Sequence, residues 1–157
     1  MNLAERDREL LQEALHAFHN ETGLMLDVVQ EQVEIDDLQI DAIIQMPHNC
    51  GKLAVEVKRW AQQANLGALA DQVKRLPMQG LLVADYINPN MGRRLKDMDV
   101  QYIDTVGNAY INRPPVYIHV TGNKQRETQV ATKKGTNRAF DATGLKVVFG
   151  FLCDPQL

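Results

Sequence analysis

Asp41, Glu56 and Lys58 give this 157-residue chain two carboxylates and an amine in stretches that otherwise read as apolar strand. In "KLAVEVKRW", residues 52–60, Glu56 and Lys58 stand two apart in a stretch that otherwise reads as a core strand. Alternation puts Leu53, Val55 and Val57 on one face and Lys52, Ala54, Glu56 and Lys58 on the other. Asp41, between Ile40 and Ala42 in "LQIDAIIQM", is equally awkward as core. If the two strands are neighbours, Asp41 and Glu56 converge and Lys58 sits one pair further along the same face. Buried carboxylates need a cation, an ammonium group or hydrogen bonds to offset their desolvation. Two of them beside a lysine suit Mg²⁺ or Mn²⁺, hard cations that use one or two carboxylates and leave positions for water and a phosphate oxygen. The chemistry that follows is phosphodiester hydrolysis. The metal polarises the phosphoryl oxygen and lowers the pKa of a bound water, while the lysine orients that water or offsets developing charge. Glu-x-Lys alone is a common triplet, and the competing reading is a structural ion pair from Lys58 to Glu56 or Asp41.

The elements that must position these residues follow from the pattern of the chain. "NLAERDRELLQEALHAFHNETG" places Leu3, Leu10, Leu11, Leu15 and Phe18 near one helical face and stops at Gly23. "LMLDVVQEQVE" and "LQIDAIIQMP" read as a hairpin about Ile35-Asp36-Asp37, and "KLAVEVKRW" as a third strand. Leu66, Leu69, Ala70, Val73 and Leu76 mark a second amphipathic helix, closed by Pro77. "GLLVADY" is a buried strand and "NPNMGRRLKDMD" a short basic helix. "VQYIDTVGNAYINRPPVYIHVTGN" gives at least two more strands, broken at Gly107 and Pro114-Pro115. The expected fold class is α/β, a mixed sheet flanked by helices over residues 1–120. Residues 121–140 read as a basic linker. Residues 141–157, apolar at Leu145, Val148, Phe149 and Leu152, read as a helix opening a further domain.

The net charge of −3 hides an asymmetry: residues 1–40 hold ten acids and two bases, whereas residues 121–138 hold one acid and five bases. Whole-chain charge is therefore a poor guide to partners. Arg93, Arg94 and Lys96 on the short helix, with Lys124, Arg126, Lys133, Lys134 and Arg138, are the candidate contacts to nucleic-acid phosphates, against the plainer reading of solvated surface. Gly107-Asn108 reads as a tight turn rather than a phosphate loop, with Asp104 capping it. His48 lacks further metal ligands at suitable spacing. Cys50 and Cys153 have neither zinc-site spacing nor the density of a disulfide scaffold, so they read as free thiols in a reducing compartment. No apolar run reaches the roughly 18 residues that cross a bilayer. The expectation is a cytoplasmic protein with no membrane partner.

"QIDAIIQM", "KLAVEVKRW" and the helix "ALADQVKRL" resemble the core of the PD-(D/E)XK nuclease superfamily over roughly residues 10–105. The resemblance implies a restriction endonuclease-like topology, with Asp41 and Glu56 as metal ligands and Lys58 as the catalytic lysine. Gln72 matches an accessory polar position, and Glu13 or Glu21 would supply an acid from the first helix. Ile40 departs from the proline that often precedes the aspartate. "YIDTVGNAYINRPPVYIHVTGNK" and "RAFDATGLKVVFGFLCDPQL" resemble the N-terminal region of AbiEi-type antitoxins, transcriptional regulators of type IV toxin-antitoxin systems. That resemblance implies a DNA-binding regulator, continuing into a winged-helix domain beyond this chain, with DNA and a cognate toxin as partners. A second copy of the chain is a further expected partner. Two functions stand side by side: a nuclease-like module of an antitoxin or regulator, placed first, and an active metal-dependent endonuclease.

Overall fold

A computed structural model describes residues 3–124 and 146–151, with side chains described for residues 5–124. It is an α/β fold built on one eight-stranded mixed sheet with the strands in sequential order. The chain begins with α1 (Leu3–Thr22), followed by three antiparallel strands, β1 (Asp27–Ile35), β2 (Leu38–Gln45) and β3 (Lys52–Lys58). Helix α2 (Leu66–Lys74) leads to β4 (Gly80–Ala84), and α3 (Pro89–Asp97) leads to β5 (Tyr102–Asp104). Both crossovers return the chain in the same direction, so β3, β4 and β5 are parallel. Strands β6 (Ala109–Arg113), β7 (Val116–Thr121) and β8 (Lys146–Phe151) then add on antiparallel.

Each boundary has a local cause. Helix α1 buries Leu10, Leu11, Ala14 and Phe18 along one stripe. It ends where Gly23, at φ 78°, turns left-handed and its N–H donates to the His19 carbonyl at 2.8 Å. The β1–β2 hairpin turns at Asp36 and Asp37, with φ of 51° and 66°. Two consecutive left-handed residues match the twist of a two-residue hairpin, and aspartate tolerates that region better than most side chains. Helix α3 starts at Asn88, whose Oδ1 accepts the Met91 N–H at 2.9 Å, with Pro89 in the first turn.

The sheet has cover on both faces. Leu53, Val55, Val57, Leu81, Val83 and Ile103 pack with α1, while Leu82, Ala84 and Tyr102 pack with α2 and α3. That is why β4 is an unbroken apolar run. Among the described residues, no helix is long and apolar enough to cross a membrane.

Two expectations fail. Residues 146–151 are not helical but form β8, paired with β7 from Val116↔Phe151 to Thr121↔Lys146. Its sequence, KVVFGF, is β-branched and aromatic, and adding it as a strand satisfies the β7 edge, which a helix could not do. This segment therefore belongs to the same sheet as the preceding domain. Of the expected linker, Thr121 closes β7 and residues 122–124 follow it; the rest of the linker and terminal helix lies outside the described residues. Cys50 is disulfide-bonded rather than a free thiol; Cys153 lies outside the described residues. Sequence spacing does not reveal such pairing, because bridge geometry depends on tertiary proximity. Cysteine usage thus gives no support for a reducing compartment.

Candidate functional site

The β2–β3 ladder runs from Gln45↔Lys52 to Ala42↔Val55 and stops there. One residue further, where Asp41 would face Glu56, the backbone pairing gives way to a side chain: Asp41 Oδ2 accepts the Val57 N–H at 2.8 Å. The regular facing of β2 breaks at the same place. Ala42 and Ile44 join the core beneath α1, whereas Ile40 joins Ile43 and Ala54 in a separate cluster. Across on β1, Gln32 lies between the paired residues Glu31↔Ala42 and Val33↔Ile40 and has φ of 51°, a left-handed geometry unusual for a non-glycine strand residue.

Asp41, Glu56 and Lys58 come together around this break. Lys58 Nζ lies 3.5 Å from Glu56 Oε2, with Glu56 the more enclosed partner. Burial raises the Asp41 carboxyl above its ordinary range against the lowering effect of the Val57 N–H; Asp7 raises it further and Lys58 lowers it. Glu56 is raised first by burial and next by the Asp41 charge, with Lys58 again opposing. Glu56 thus has the Lys58 ammonium in contact, while Asp41 holds the Val57 N–H and feels Lys58 only through its charge. A divalent cation between the two carboxylates would remove the repulsion, and this donor set fits a hard cation that keeps several water ligands. Among the described residues, no three His, Cys, Asp or Glu side chains converge to hold a metal.

The α1 acid whose charge reaches Asp41 and Glu56 is Asp7, which the sequence does not single out. Asp7 raises both Asp41 and Glu56 and lines with Asp41, Leu11 and Val57 a cleft of ≈ 30 Å³. Such a volume is the size of one water. The Arg8 to Glu31 ion pair, at 3.0 Å, ties α1 to β1 beside it. The expected Glu13 and Glu21 lie elsewhere, lining with His16, Asp85, Thr105 and Lys124 a cavity of ≈ 660 Å³. The course of α1 across the sheet gives the reason: Asp7 is on its first turns, near β2 and β3, while Glu13 and Glu21 are carried toward the β4 and β5 ends.

Gln72 is exposed on α2, whose core face is Leu66, Leu69, Ala70 and Val73. It makes no side-chain hydrogen bond to Asp41, Glu56 or Lys58. Arg93 and Arg94 are exposed on α3, and Arg94 donates to the Gln63 carbonyl and to Gln63 Oε1, at 3.1 and 2.9 Å. Lys96 is half-buried on the same helix, and Lys124 is exposed at the mouth of the larger cavity. Arg126, Lys133, Lys134 and Arg138 lie outside the described residues.

Asp104 is a structural residue. It is fully buried. Its Oδ2 accepts from Ile87 N and Asn108 Nδ2, both at 2.8 Å, and its Oδ1 from Val106 N and Asn108 N at 3.0 and 2.9 Å. Burial pushes its carboxyl up to about 6 against those four donors. It organises the 104–108 turn, as the sequence suggests.

No protein-family model, curated protein or solved structure matches this chain.

Proposed function

We propose that this chain is a nuclease-like domain of a DNA-binding antitoxin or transcriptional regulator, with Asp41, Glu56 and Lys58 as a site for a divalent cation and a nucleic-acid phosphate. The observation that carries the reading is the break in the β2–β3 ladder, where Asp41 leaves the backbone pattern to hold the Val57 N–H beside Glu56 and Lys58. A structural salt bridge needs one acid and one base; here two raised carboxyls feel the charge of one lysine, at an energetic cost that a folded core would otherwise avoid. The aspartate strand and the Glu-x-Lys strand are neighbours and a helix follows, in keeping with a restriction endonuclease-like topology. The regulatory role itself rests on the AbiEi-type resemblance.

Binding without cleavage takes first place because the AbiEi-type resemblance points to regulation. The second reading is an active Mg²⁺- or Mn²⁺-dependent endonuclease. It is favoured by the presence of the whole chemical set: two carboxylates for the cation and a lysine to stabilise developing charge. Supercoiled plasmid incubated with either metal separates the two. Retention of plasmid on the protein without nicking supports regulation by binding. Nicking that disappears in Lys58→Ala supports the endonuclease, and neither retention nor nicking removes both.

A further inference from the structure

We propose that Trp60 is a stacking platform for a base of single-stranded nucleic acid, set two residues beyond Lys58; the inference rests on the nucleic-acid reading above. Trp60 is the one tryptophan of the chain. It is 69% exposed, more than Met25 at 54%, Val29 at 45% or Leu38 at 38%. Isolated apolar residues on a surface are ordinary, but three features set this one apart.

The first is position. With one residue between them, the Lys58 and Trp60 Cα atoms are at most about 7 Å apart. A strand whose phosphate meets Lys58 therefore has a base within reach of the indole.

The second is that the backbone of the loop is fixed while the ring stays in solvent. Asn65 Nδ2 donates to the Trp60 carbonyl at 3.1 Å, and Gln62 N donates to Asn65 Oδ1 at 2.8 Å. Neither contact uses the indole, so the loop holds its shape without burying it. A ring presented on a fixed loop loses little freedom on binding.

The third is charge. Arg59 separates Lys58 from Trp60, and Arg94 of α3 grips the same loop through Gln63. An exposed ring next in sequence to Lys58 and Arg59 has the two elements that bind single strands, cations for the backbone and a face on which bases stack. Duplex DNA keeps its bases stacked on one another and offers such a ring no free face.

Because Trp60 is the sole indole, its emission reports on this contact directly. Titration with oligothymidylate in Ca²⁺, a hard cation that takes the same oxygen ligands, should quench it, and a blunt duplex should quench it much less. Anisotropy of a labelled oligothymidylate should show Trp60→Ala weakening binding about ten-fold, the scale of one stacked base, with Trp60→Phe between it and wild type and duplex affinity unchanged. Since the side chain is exposed, both variants should fold, which circular dichroism checks. Single-strand binding with no quenching, or with equal affinity in Trp60→Ala, overturns the stacking role while leaving the nucleic-acid reading in place. A variant that changes only the self-association of the protein in sedimentation also overturns it. If wild type binds neither oligonucleotide nor duplex by anisotropy, the nucleic-acid reading falls and this inference with it.

Discussion

The Val57 N–H is held by the Asp41 carboxylate at 2.8 Å, in the place where a backbone carbonyl would continue the β2–β3 ladder. Asp41 therefore has two separable roles, an acceptor that holds β3 and a negative charge beside Glu56. Replacing it by alanine leaves the Val57 N–H without its partner and should cost about 1–3 kcal/mol. Asp41→Asn keeps an acceptor and removes the repulsion, so in the absence of metal it should be at least as stable as wild type at neutral pH. Denaturant unfolding of the two variants measures the difference. Equal destabilisation by both would show that the charge itself stabilises the fold.

Divalent cations should reverse that order. If Mn²⁺ or Mg²⁺ binds between Asp41 and Glu56, wild type gains about 1.4 kcal/mol at a metal concentration ten times Kd. Asp41→Asn and Glu56→Gln should gain little. Thermal melts with and without metal give the comparison, and an equal shift in all three proteins would place the metal elsewhere.

Raised carboxyls fix the sign of the pH dependence. Asp104 moves from an ordinary 3.8 to about 6, so between those values the folded state binds more protons than the unfolded one. The contribution of Asp104 to stability should then fall as pH rises across that window and level off above it, by about 3 kcal/mol. Asp41 and Glu56 are raised as well and add in the same direction. Urea midpoints from pH 4 to 7 for wild type and Asp104→Asn isolate that contribution; a difference between the two that does not change with pH contradicts it.

Asp104→Asn should be more damaging than Asp41→Asn. Each Asp104 oxygen accepts two donors, so an amide must turn its NH₂ toward two of them. A loss of roughly 2–4 kcal/mol is expected from the unsatisfied buried groups. A melting temperature near that of wild type would show that the turn can rearrange.

Gly51 makes a separate structural prediction. Its φ is 108°, and a Cβ there would collide with the Arg113 guanidinium, whose Nε donates to the Cys50 carbonyl at 3.1 Å. Gly51→Ala should destabilise by about 1–3 kcal/mol through backbone strain and displacement of Arg113. Full stability in that variant would mean that the loop before β3 is adaptable.

The elements that place the site are legible in the sequence because each has a strong local cause. Examples are the hairpin at Asp36-Asp37, the alternation that turns Leu53, Val55 and Val57 toward α1, and the Leu66–Val73 stripe of α2. The meeting of Asp41 with Glu56 follows from those strands pairing as neighbours. What the sequence conceals depends on three dimensions. Asp7 sits near the site because of how α1 crosses the sheet, which helical periodicity does not specify. The break in alternation between Ile40 and Ala42 comes from Gln32 and the Asp41 to Val57 bond, neither of which leaves a pattern. For Lys146–Phe151, short apolar runs fit either a helix or a strand, and the open edge of β7 decides.

A phosphate site at Lys58 is tested by DNA affinity as a function of salt in Mg²⁺, for wild type and Lys58→Ala purified identically. Lys58→Ala leaves the half-buried Glu56 without its ammonium partner, so circular dichroism and a melt first check that the variant is folded, and Lys58→Gln, which keeps the length of the side chain, serves as a second variant. Wild type should bind with steep salt dependence, and loss of one phosphate contact should weaken the variant and reduce its log–log slope by about 0.9. Identical affinities and slopes would contradict a phosphate site at Asp41, Glu56 and Lys58 and leave these residues as a structural ion-pair cluster.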